Sequence, residues 1–299
     1  MTQRILLSLA IVVAVGGGAI ASTGAFFSDT ETSTGNTFTA GAIDLKVDST
    51  QHYNGNVCQP VETQEGPVYQ WVGQSAYPVP GTPCDGTWSL TDLQNGVQKF
   101  FNFSDVKPGD SGENTLSLHI DSNPAWACAD ITVTKNDDVT CTSPENAAEG
   151  SGVCENSLPF ADFDGDLAQN LNFFAWLDQG VTPGFGNDTT GEGDNIWQAG
   201  EPPMFSNGVG PLSDAIGGKH YALADSTTSF GPLPPGATDY IGLAWCAGTL
   251  DASVPGTLTC DGATMGNEAQ TDTAVANVTF RVEQSRNQPN FVCNPTPAA

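Results

Sequence analysis

The sequence contains very little positive charge. Only 8 of its 299 residues are Lys or Arg, whereas 34 are Asp or Glu. A chain with this balance repels nucleic acids and anionic lipids, so neither is expected as a partner. The excess of carboxylates suits a soluble protein in a saline or cation-rich exterior. Two interpretations follow, namely general solubility and the binding of cations.

Sequence motifs of enzymes and of helical proteins are also lacking. The chain has no long amphipathic helical pattern, no CxxC pair, no HExxH motif and no nucleophile-elbow spacing. Its three histidines, His52, His119 and His220, lie in unrelated sequence contexts. We therefore expect a protein that is not an enzyme.

Signals for strands and turns are abundant instead. The chain has 34 Gly and 20 Pro, and several stretches alternate apolar and polar residues, the period of a strand with one face on a core. These stretches lie at 43–47, 116–120, 131–133, 241–245 and 276–282. Residues 171–177 (LNFFAWL) fit either a strand or a short helical turn. The pattern predicts one all-β domain over residues 42–299, with long polar loops at about 49–98, 135–160 and 179–239.

The N-terminus has the pattern of a secretory signal peptide. Arg4 gives a positive start, residues 5–21 are apolar, and small residues follow up to Ala25. We predict that signal peptidase cleaves after Ala25, so that residues 1–25 are the signal peptide; cleavage after Ala21 is the alternative. An uncleaved segment would be near the lower length limit for a membrane span. The expected location is extracellular or on the cell surface, with no stable membrane anchor after cleavage.

Eight cysteines, an even number, agree with export into an oxidising compartment. Proximity along the chain favours Cys58–Cys84, Cys141–Cys154 and Cys246–Cys260, which leaves Cys128 with Cys293. Such bridges would brace the long loops by limiting their entropy. Metal binding by the cysteines is the weaker alternative, because their spacing does not suit zinc.

Two motifs resemble the TasA/camelysin (CalY) family, which has SipW-type signal peptides. The first is Ala25 to Val47 (AFFSDTETSTGNTFTAGAIDLKV), and the second is Phe103 to Asp110 (FSDVKPGD) before a predicted strand. The resemblance implies a jelly-roll-like antiparallel β-sandwich that forms biofilm-matrix or bundling-pilus fibres. It also implies donor-strand complementation, in which the mature N-terminus of one subunit completes the sheet of its neighbour.

Residues 26–41 are the candidate donor segment. Phe26, Phe27 and Phe38 are apolar anchors among Ser, Thr, Asp and Gly residues. A segment of this composition buries too little surface to fold alone, and its many Thr residues suit an extended strand. The alternatives are a frayed tail and an edge strand that stays within its own subunit.

One acidic loop that could bind Ca²⁺ contains Asp162, Asp164 and Asp166. Carboxylates at alternating positions let a short loop wrap a hard cation. The glutamate that an EF-hand has at its twelfth position is replaced by Phe173. A solvated acidic turn is the alternative.

A second acidic loop contains Glu192, Asp194 and Glu201. These residues fall at the third, fifth and twelfth positions of an EF-hand pattern. Thr190 occupies the first position, where Asp178 or Asp188 could substitute. We expect this loop to be the better of the two candidates for Ca²⁺.

Aromatic residues are concentrated in the loop at 49–98. They are Tyr53, Tyr69, Trp71, Tyr77 and Trp88. They could bind sugars by stacking, or they could form a small satellite core under the Cys58–Cys84 loop, which we favour.

Asn102, Asn187 and Asn277 each begin an N-x-Ser/Thr sequence. These sequences are acceptors for N-glycosylation in hosts that carry it out.

The leading prediction is a secreted structural subunit that polymerises with copies of itself by donor-strand complementation into surface or biofilm-matrix fibres. A monomeric secreted module for adhesion or carbohydrate binding is the alternative. A metallopeptidase, suggested only by the label of some family members, ranks third.

Overall fold

The structure is a computed structural model, which describes residues 28–32, 43–121, 123–156, 159, 161–180, 190–205, 208–216 and 219–294. Several predictions fall outside these residues. They concern the signal peptide of residues 1–25 with its cleavage edge Ala25, the anchors Phe26, Phe27 and Phe38, and the acceptor Asn187.

Most of the regular structure in the described residues is β. The strands are β1 Ser28–Thr32, β2 Leu45–Tyr53, β3 Asn56–Thr63, β4 Gly66–Val72, β5 Trp88–Thr91, β6 Ser111–Ile120, β7 Ala125–Asp137, β8 Leu171–Leu177, β9 Gly210–Pro211, β10 Lys219–Ala224, β11 Ala237–Ala247, β12 Thr249–Val254, β13 Thr257–Asp261 and β14 Thr273–Gln284. The α-helices are α1 Ser143–Ala148, α2 Val153–Asn156 and α3 Leu167–Asn170, and single helical turns occur at Leu212–Ile216, Gly262–Thr264, Asn267–Ala269 and Ser285–Asn287. None of the helices described here has the length and apolar character needed to cross a bilayer.

The strands form an antiparallel β-sandwich. One sheet has the strand order β1-β14-β7-β10, and the other has β4-β3-β2-β6-β11-β8-β9, with β5 also paired to β2. β12 and β13 form a separate hairpin. The chain passes between the two sheets from β1 to β2, from β6 to β7, from β7 to β8, from β9 to β10, from β10 to β11 and, after the β12–β13 hairpin, on to β14, as in double-sheet jelly rolls. The predicted all-β, jelly-roll-like antiparallel sandwich is therefore confirmed.

Apolar side chains from the two sheets meet in a common core. Leu45 and Val47 on β2 are buried in the same cluster as Leu118 on β6 and as Phe280 and Val282 on β14. Along β2, buried residues alternate with more exposed ones. The period-2 pattern in the sequence thus identified strands that bury one face.

The ambiguous stretch LNFFAWL forms strand β8. Phe173 belongs to one core cluster, whereas Phe174 and Trp176 pack in another cluster with residues of the β12–β13 hairpin. Because both faces of β8 are covered, its sequence is an almost continuous apolar run, interrupted only by Asn172, with no clear period. This double burial explains why the period could not separate a strand from a helical turn.

All eight cysteines form disulfides in the predicted pairs. The bridges are Cys58–Cys84, Cys128–Cys293, Cys141–Cys154 and Cys246–Cys260. The Cys128–Cys293 bridge joins β7 to the segment after β14. Four disulfides indicate an oxidising, extracellular type of environment.

The FSDVKPGD motif forms a tight turn that leads into β6. Asp110 donates its main-chain N–H to the Lys107 carbonyl at 2.9 Å, and Gly109 has a φ of 87°, which favours glycine. The Asp110 carboxylate accepts hydrogen bonds of 2.8 Å from the Tyr53 hydroxyl and the Asn54 amide. The turn therefore fixes the end of β2 and the β2–β3 turn next to β6.

We expect Gly242→Ala to destabilise the protein strongly. A Cβ at this position on β11 would lie 2.1 Å from Cε2 and Cζ2 of the buried Trp176 indole, so the ring or the strand must move. Overpacking of this kind costs about 1–3 kcal/mol or more. Thermal and denaturant unfolding would measure the loss.

The Trp176→Phe background provides the control for this prediction, because a smaller ring leaves room for the added methyl group. Gly242→Ala should then cost much less than it does with Trp176 present. Strictly additive costs in this double-mutant cycle would contradict the proposed clash.

Candidate functional site

Strand β1 is the described part of the candidate donor segment. It pairs antiparallel with β14, in a register that runs from Ser28 opposite Glu283 to Thr32 opposite Thr279. β1 is the outermost strand of its sheet, and β14 lies between it and β7. Within one chain the segment is thus an edge strand of its own subunit, one of the alternatives stated above. The main-chain ladder that it makes would be the same for a strand from another chain.

The sheet that receives β1 is also held together by side chains. Arg281 on β14 donates Nε to Asp130 Oδ2 on β7 at 3.2 Å, and His220 Nδ1 on β10 lies 2.6 Å from Asp130 Oδ1. Arg281 also donates Nη2 to the carbonyl of Cys293 at 3.1 Å, and Cys293 is bonded to Cys128 on β7. These contacts link β14, β7 and β10 without any part of β1.

The first predicted Ca²⁺ loop lies against the end of β7. Asp164 accepts main-chain N–H groups through both oxygens, from Ala161 at 2.7 Å and from Asp138 at 3.3 Å. Asp162 is exposed, and Asp166 precedes α3 without capping it through its side chain. These contacts give Asp164 a role in shaping the loop, and Ca²⁺ binding by the three aspartates stays a prediction.

The second predicted loop folds over the end of β8. Glu201 is buried, and its two oxygens accept main-chain N–H groups from Gly180 at 2.8 Å and Gln198 at 2.7 Å. Asp194 accepts the Gln198 amide at 2.8 Å, and Glu192 forms an isolated bridge with the chain just after β8. Both Glu201 oxygens therefore hold the loop in place, and Ca²⁺ binding here also stays a prediction.

Two further buried aspartates lie beside this second loop. Asp178 is 0% exposed; its Oδ2 accepts the Asn195 N–H at 2.8 Å, whereas its Oδ1 has no hydrogen-bond partner. Asp239, on β11, accepts the Gln179 amide through Oδ1 and leaves Oδ2 unpartnered. Asp178 is among the residues predicted from the sequence. Asp239 is not, because it belongs to no loop motif and is brought here by the pairing of β11 with β8.

Burial raises the pKa of each of these carboxyl groups above its usual value. Burial, with a contribution from the charge of Asp194, raises the pKa of Asp178 to about 6. Burial raises the pKa of Glu201 to about 7, and the charges of Asp178 and Asp194 add to the effect. Burial and the charge of Glu192 raise the pKa of Asp239 to about 7. The cluster can therefore exchange protons near neutral pH.

The stretch 49–98, predicted as a loop, contains strands β3, β4 and β5 as well as the end of β2, and four of its five aromatic residues lie on strands. Their rings pack mainly against one another and the sandwich. Tyr53, Tyr69, Trp71, Tyr77 and Trp88 are all buried or half-buried. The Tyr53 ring centre lies 6.0 Å from that of Trp71, 5.6 Å from that of Tyr77 and 4.5 Å from that of Phe103. These rings line a cleft of about 460 Å³. Their burial favours a satellite core over sugar stacking.

Two of the glycosylation acceptors are in the described residues. Asn102 is exposed and donates Nδ2 to Asp85 at 2.7 Å. Asn277 is half-buried on β14, opposite Thr132 of β7. Asn102 is thus the more accessible of the two.

The contribution of Asp239 to stability should fall as the pH rises from about 4 to 7. The raised pKa of Asp239 means that the folded chain holds this proton while the unfolded chain has lost it, so folding is penalised progressively across that window. In Asp239→Asn the amide oxygen can still accept from Gln179 and the titration is gone. The free energy of unfolding of this variant, relative to that of the wild type, should rise by about 2–3 kcal/mol between pH 5 and pH 8.

Urea unfolding at several pH values in the presence of a chelator would measure this advantage. Asp162→Asn, at an exposed position, is the control and should follow the wild-type profile. An advantage of Asp239→Asn that is constant from pH 5 to pH 8 would contradict the assignment of the proton.

Comparison with protein-family models, with curated proteins and with solved structures finds no match to this chain.

Proposed function

We propose that this protein is an exported structural subunit that polymerises head to tail by exchange of its N-terminal strand. β1 of one copy pairs with β14 of the next, so that each sandwich receives one strand and donates one. Because donor and acceptor are different surfaces of the subunit, such a contact does not close on itself and generates an open filament.

The observation that carries this proposal is the position of β1. It lies at the outer edge of its sheet, precedes the sandwich in sequence and is separated from Ile43 by residues 33–42. A strand attached by a single connection can leave its own sheet and enter that of a neighbour with the same register. Without β1, the β14 edge would present unpaired N–H and C=O groups, which favour the addition of a strand.

The acceptor is built to persist while β1 is exchanged. Arg281, Asp130 and His220 connect the other three strands of the sheet, and the Cys128–Cys293 disulfide fixes the segment after β14. A rigid acceptor lowers the entropy that must be lost when a donor strand binds. Strand exchange can therefore proceed without unfolding of the sandwich.

Export and the sequence resemblance provide independent support. The N-terminal 25 residues have the pattern of a signal peptide, and the mature chain keeps 7 basic against 34 acidic residues. The motifs at Ala25–Val47 and Phe103–Asp110 resemble those of fibre-forming TasA/camelysin proteins. Export to the cell surface or matrix and assembly with copies of the same chain form one consistent proposal.

Cysteine cross-linking can detect the exchanged strand. Ser28 and Glu283 are directly opposite in the β1–β14 register, and opposite residues of antiparallel strands are within reach of a disulfide. When Ser28→Cys and Glu283→Cys are carried by separate co-expressed copies, we expect a covalent dimer on a non-reducing gel. Pairing of Ser28→Cys with Glu62→Cys, which is exposed on β3, is the control and should give none. Cross-links that form only when both cysteines are in one chain would show that β1 pairs with β14 of its own subunit, which would contradict strand exchange.

Electron microscopy provides a second test. The mature protein should form filaments. Deletion of residues 26–40 should abolish the filaments and leave a folded monomer. Its Tm should be lower, because β14 loses its main-chain hydrogen bonds to β1. Filaments that persist after the deletion would contradict strand exchange. A wild-type protein that stays monomeric at high concentration would favour the alternative of a secreted binding module.

A further inference from the structure

Strand β1 covers only part of the outer edge of β14. β14 is a strand of twelve residues that begins at Thr273, whereas its pairs with β1 extend only from Thr279 to Glu283. On its other side, β14 pairs with β7 along its whole length. Among the described residues, no strand pairs with the outer edge at 273–277. The N-terminal half of β14 therefore offers a second stretch of sheet edge to an added strand.

Side-chain burial also differs between the two halves of β14. Phe280 and Val282, on the core face beside β1, are 1% and 0% exposed. Ala274 and Ala276, on the same face of the strand, are only half-buried. Val275, on the opposite face, is 40% exposed. A strand added along this half of β14 would remove apolar surface of this kind from water.

Strand β2 begins at the opposite end of the sandwich from Thr273. Leu45, the first residue of β2, is opposite Ile120, the last residue of β6. β7 starts shortly afterwards at Ala125, which is opposite Gln284, the last residue of β14. The start of β2 therefore lies at the Gln284 end of β14, about the whole length of that strand away from Thr273.

The connection between β1 and β2 limits how far a chain can pair with its own β14. β1 runs toward Thr273, so that continuing its register would place Phe38 opposite that residue. From Phe38 the chain must return to Ile43, and five extended residues span at most about 18 Å. The twelve residues of β14 cover roughly 36 Å. A chain whose Phe38 reaches Thr273 therefore cannot also form its own β2, whereas a strand from another copy meets no such limit.

We propose that the N-terminal strand of a second copy extends through Phe38 and covers this remaining edge of β14. The inference rests on the proposed strand exchange and adds its register, which places Asn36 opposite Val275 and Phe38 opposite Thr273. Phe38 then lies on the face of the sheet that carries the exposed Val275, diagonal to it and within reach of an aromatic ring. The donated ladder, from Ser28 to Phe38, is about twice as long as the five pairs that β1 makes within one chain. This difference in length favours donation over self-pairing.

A cysteine pair at the far end of the longer ladder would test the inference. Phe38→Cys and Thr273→Cys, carried by separate co-expressed copies of the mature protein, should give a disulfide-linked dimer on a non-reducing gel. A single chain with both cysteines, kept monomeric by dilution, should form no internal bridge. Phe38→Cys with Glu62→Cys, exposed on β3, is the control and should give no dimer. An internal bridge in the monomer would contradict the limit set by the connection and overturn the proposal.

The cross-link between Ser28→Cys and Glu283→Cys separates this inference from the proposed function. If that pair links separate copies and the pair at Phe38 and Thr273 does not, strand exchange stands and the longer ladder is wrong. If neither pair links separate copies, the proposed function fails and the inference fails with it.

A longer connection gives a second test that leaves every paired residue unchanged. Insertion of about twelve Gly and Ser residues between Ala40 and Gly41 adds up to about 40 Å of reach, so that a chain could cover its own β14 edge. Because a tethered strand has an effective concentration in the millimolar range, filaments at micromolar protein should fall by about tenfold or more. The same insertion between Gln64 and Glu65, exposed in the β3–β4 turn, should leave filaments unchanged. Filaments as abundant with the first insertion as without it would overturn the proposal.

Discussion

The structure depends most on the outer edge of β14. β14 lies inside its sheet only because β1 pairs with its outer edge, and β1 precedes every other strand of the sandwich in the described residues. A ladder of main-chain hydrogen bonds is indifferent to the chain that supplies the strand. The same physical interaction can therefore complete a monomer or link two copies. Under the proposed strand exchange, the balance between them would depend on the effective concentration of the chain's own β1 relative to that of a neighbour's.

Rigidity in this protein comes from covalent bonds and main-chain donors more than from ion pairs. With so few Lys and Arg residues, most carboxylates in the described part of the chain have no cationic partner, and several accept N–H groups instead. Glu201 holds its loop through Gly180 and Gln198, and Asp110 fixes the turn before β6. Hydrogen bonds to a carboxylate stabilise its charged form and partly offset burial. The oxygens left without any donor mark the places where a proton or a cation is needed.

The sequence predicted the fold where each residue's neighbours on the chain determine its environment. Alternation identified β2 and β14, because only one face of each meets the core, and short loops suggested three disulfides. It failed at β8, whose second face is covered by a hairpin some seventy residues later in the chain, a tertiary contact that no local period reveals. The jelly-roll-like topology came from the resemblance and not from the strand pattern.

The acidic residues show the same difference between positions that a local sequence pattern reveals and positions that only tertiary contacts bring together. Asp162, Asp164 and Asp166 attract notice because they alternate in one loop, yet Asp164 is engaged with main-chain donors there. Asp239, by contrast, belongs to no loop motif and accepts the Gln179 amide only because β11 pairs with β8.

The Cys128–Cys293 disulfide bears directly on the proposed function. It fixes the segment after β14 to β7, and the Arg281 guanidinium on β14 contacts the Asp130 carboxylate on β7. Residues 279–283, whose outer edge pairs with β1, are therefore held in the sheet by contacts that involve no part of β1. An acceptor edge that keeps its shape when its partner strand leaves is what strand exchange requires, because little further entropy is lost when a new strand binds.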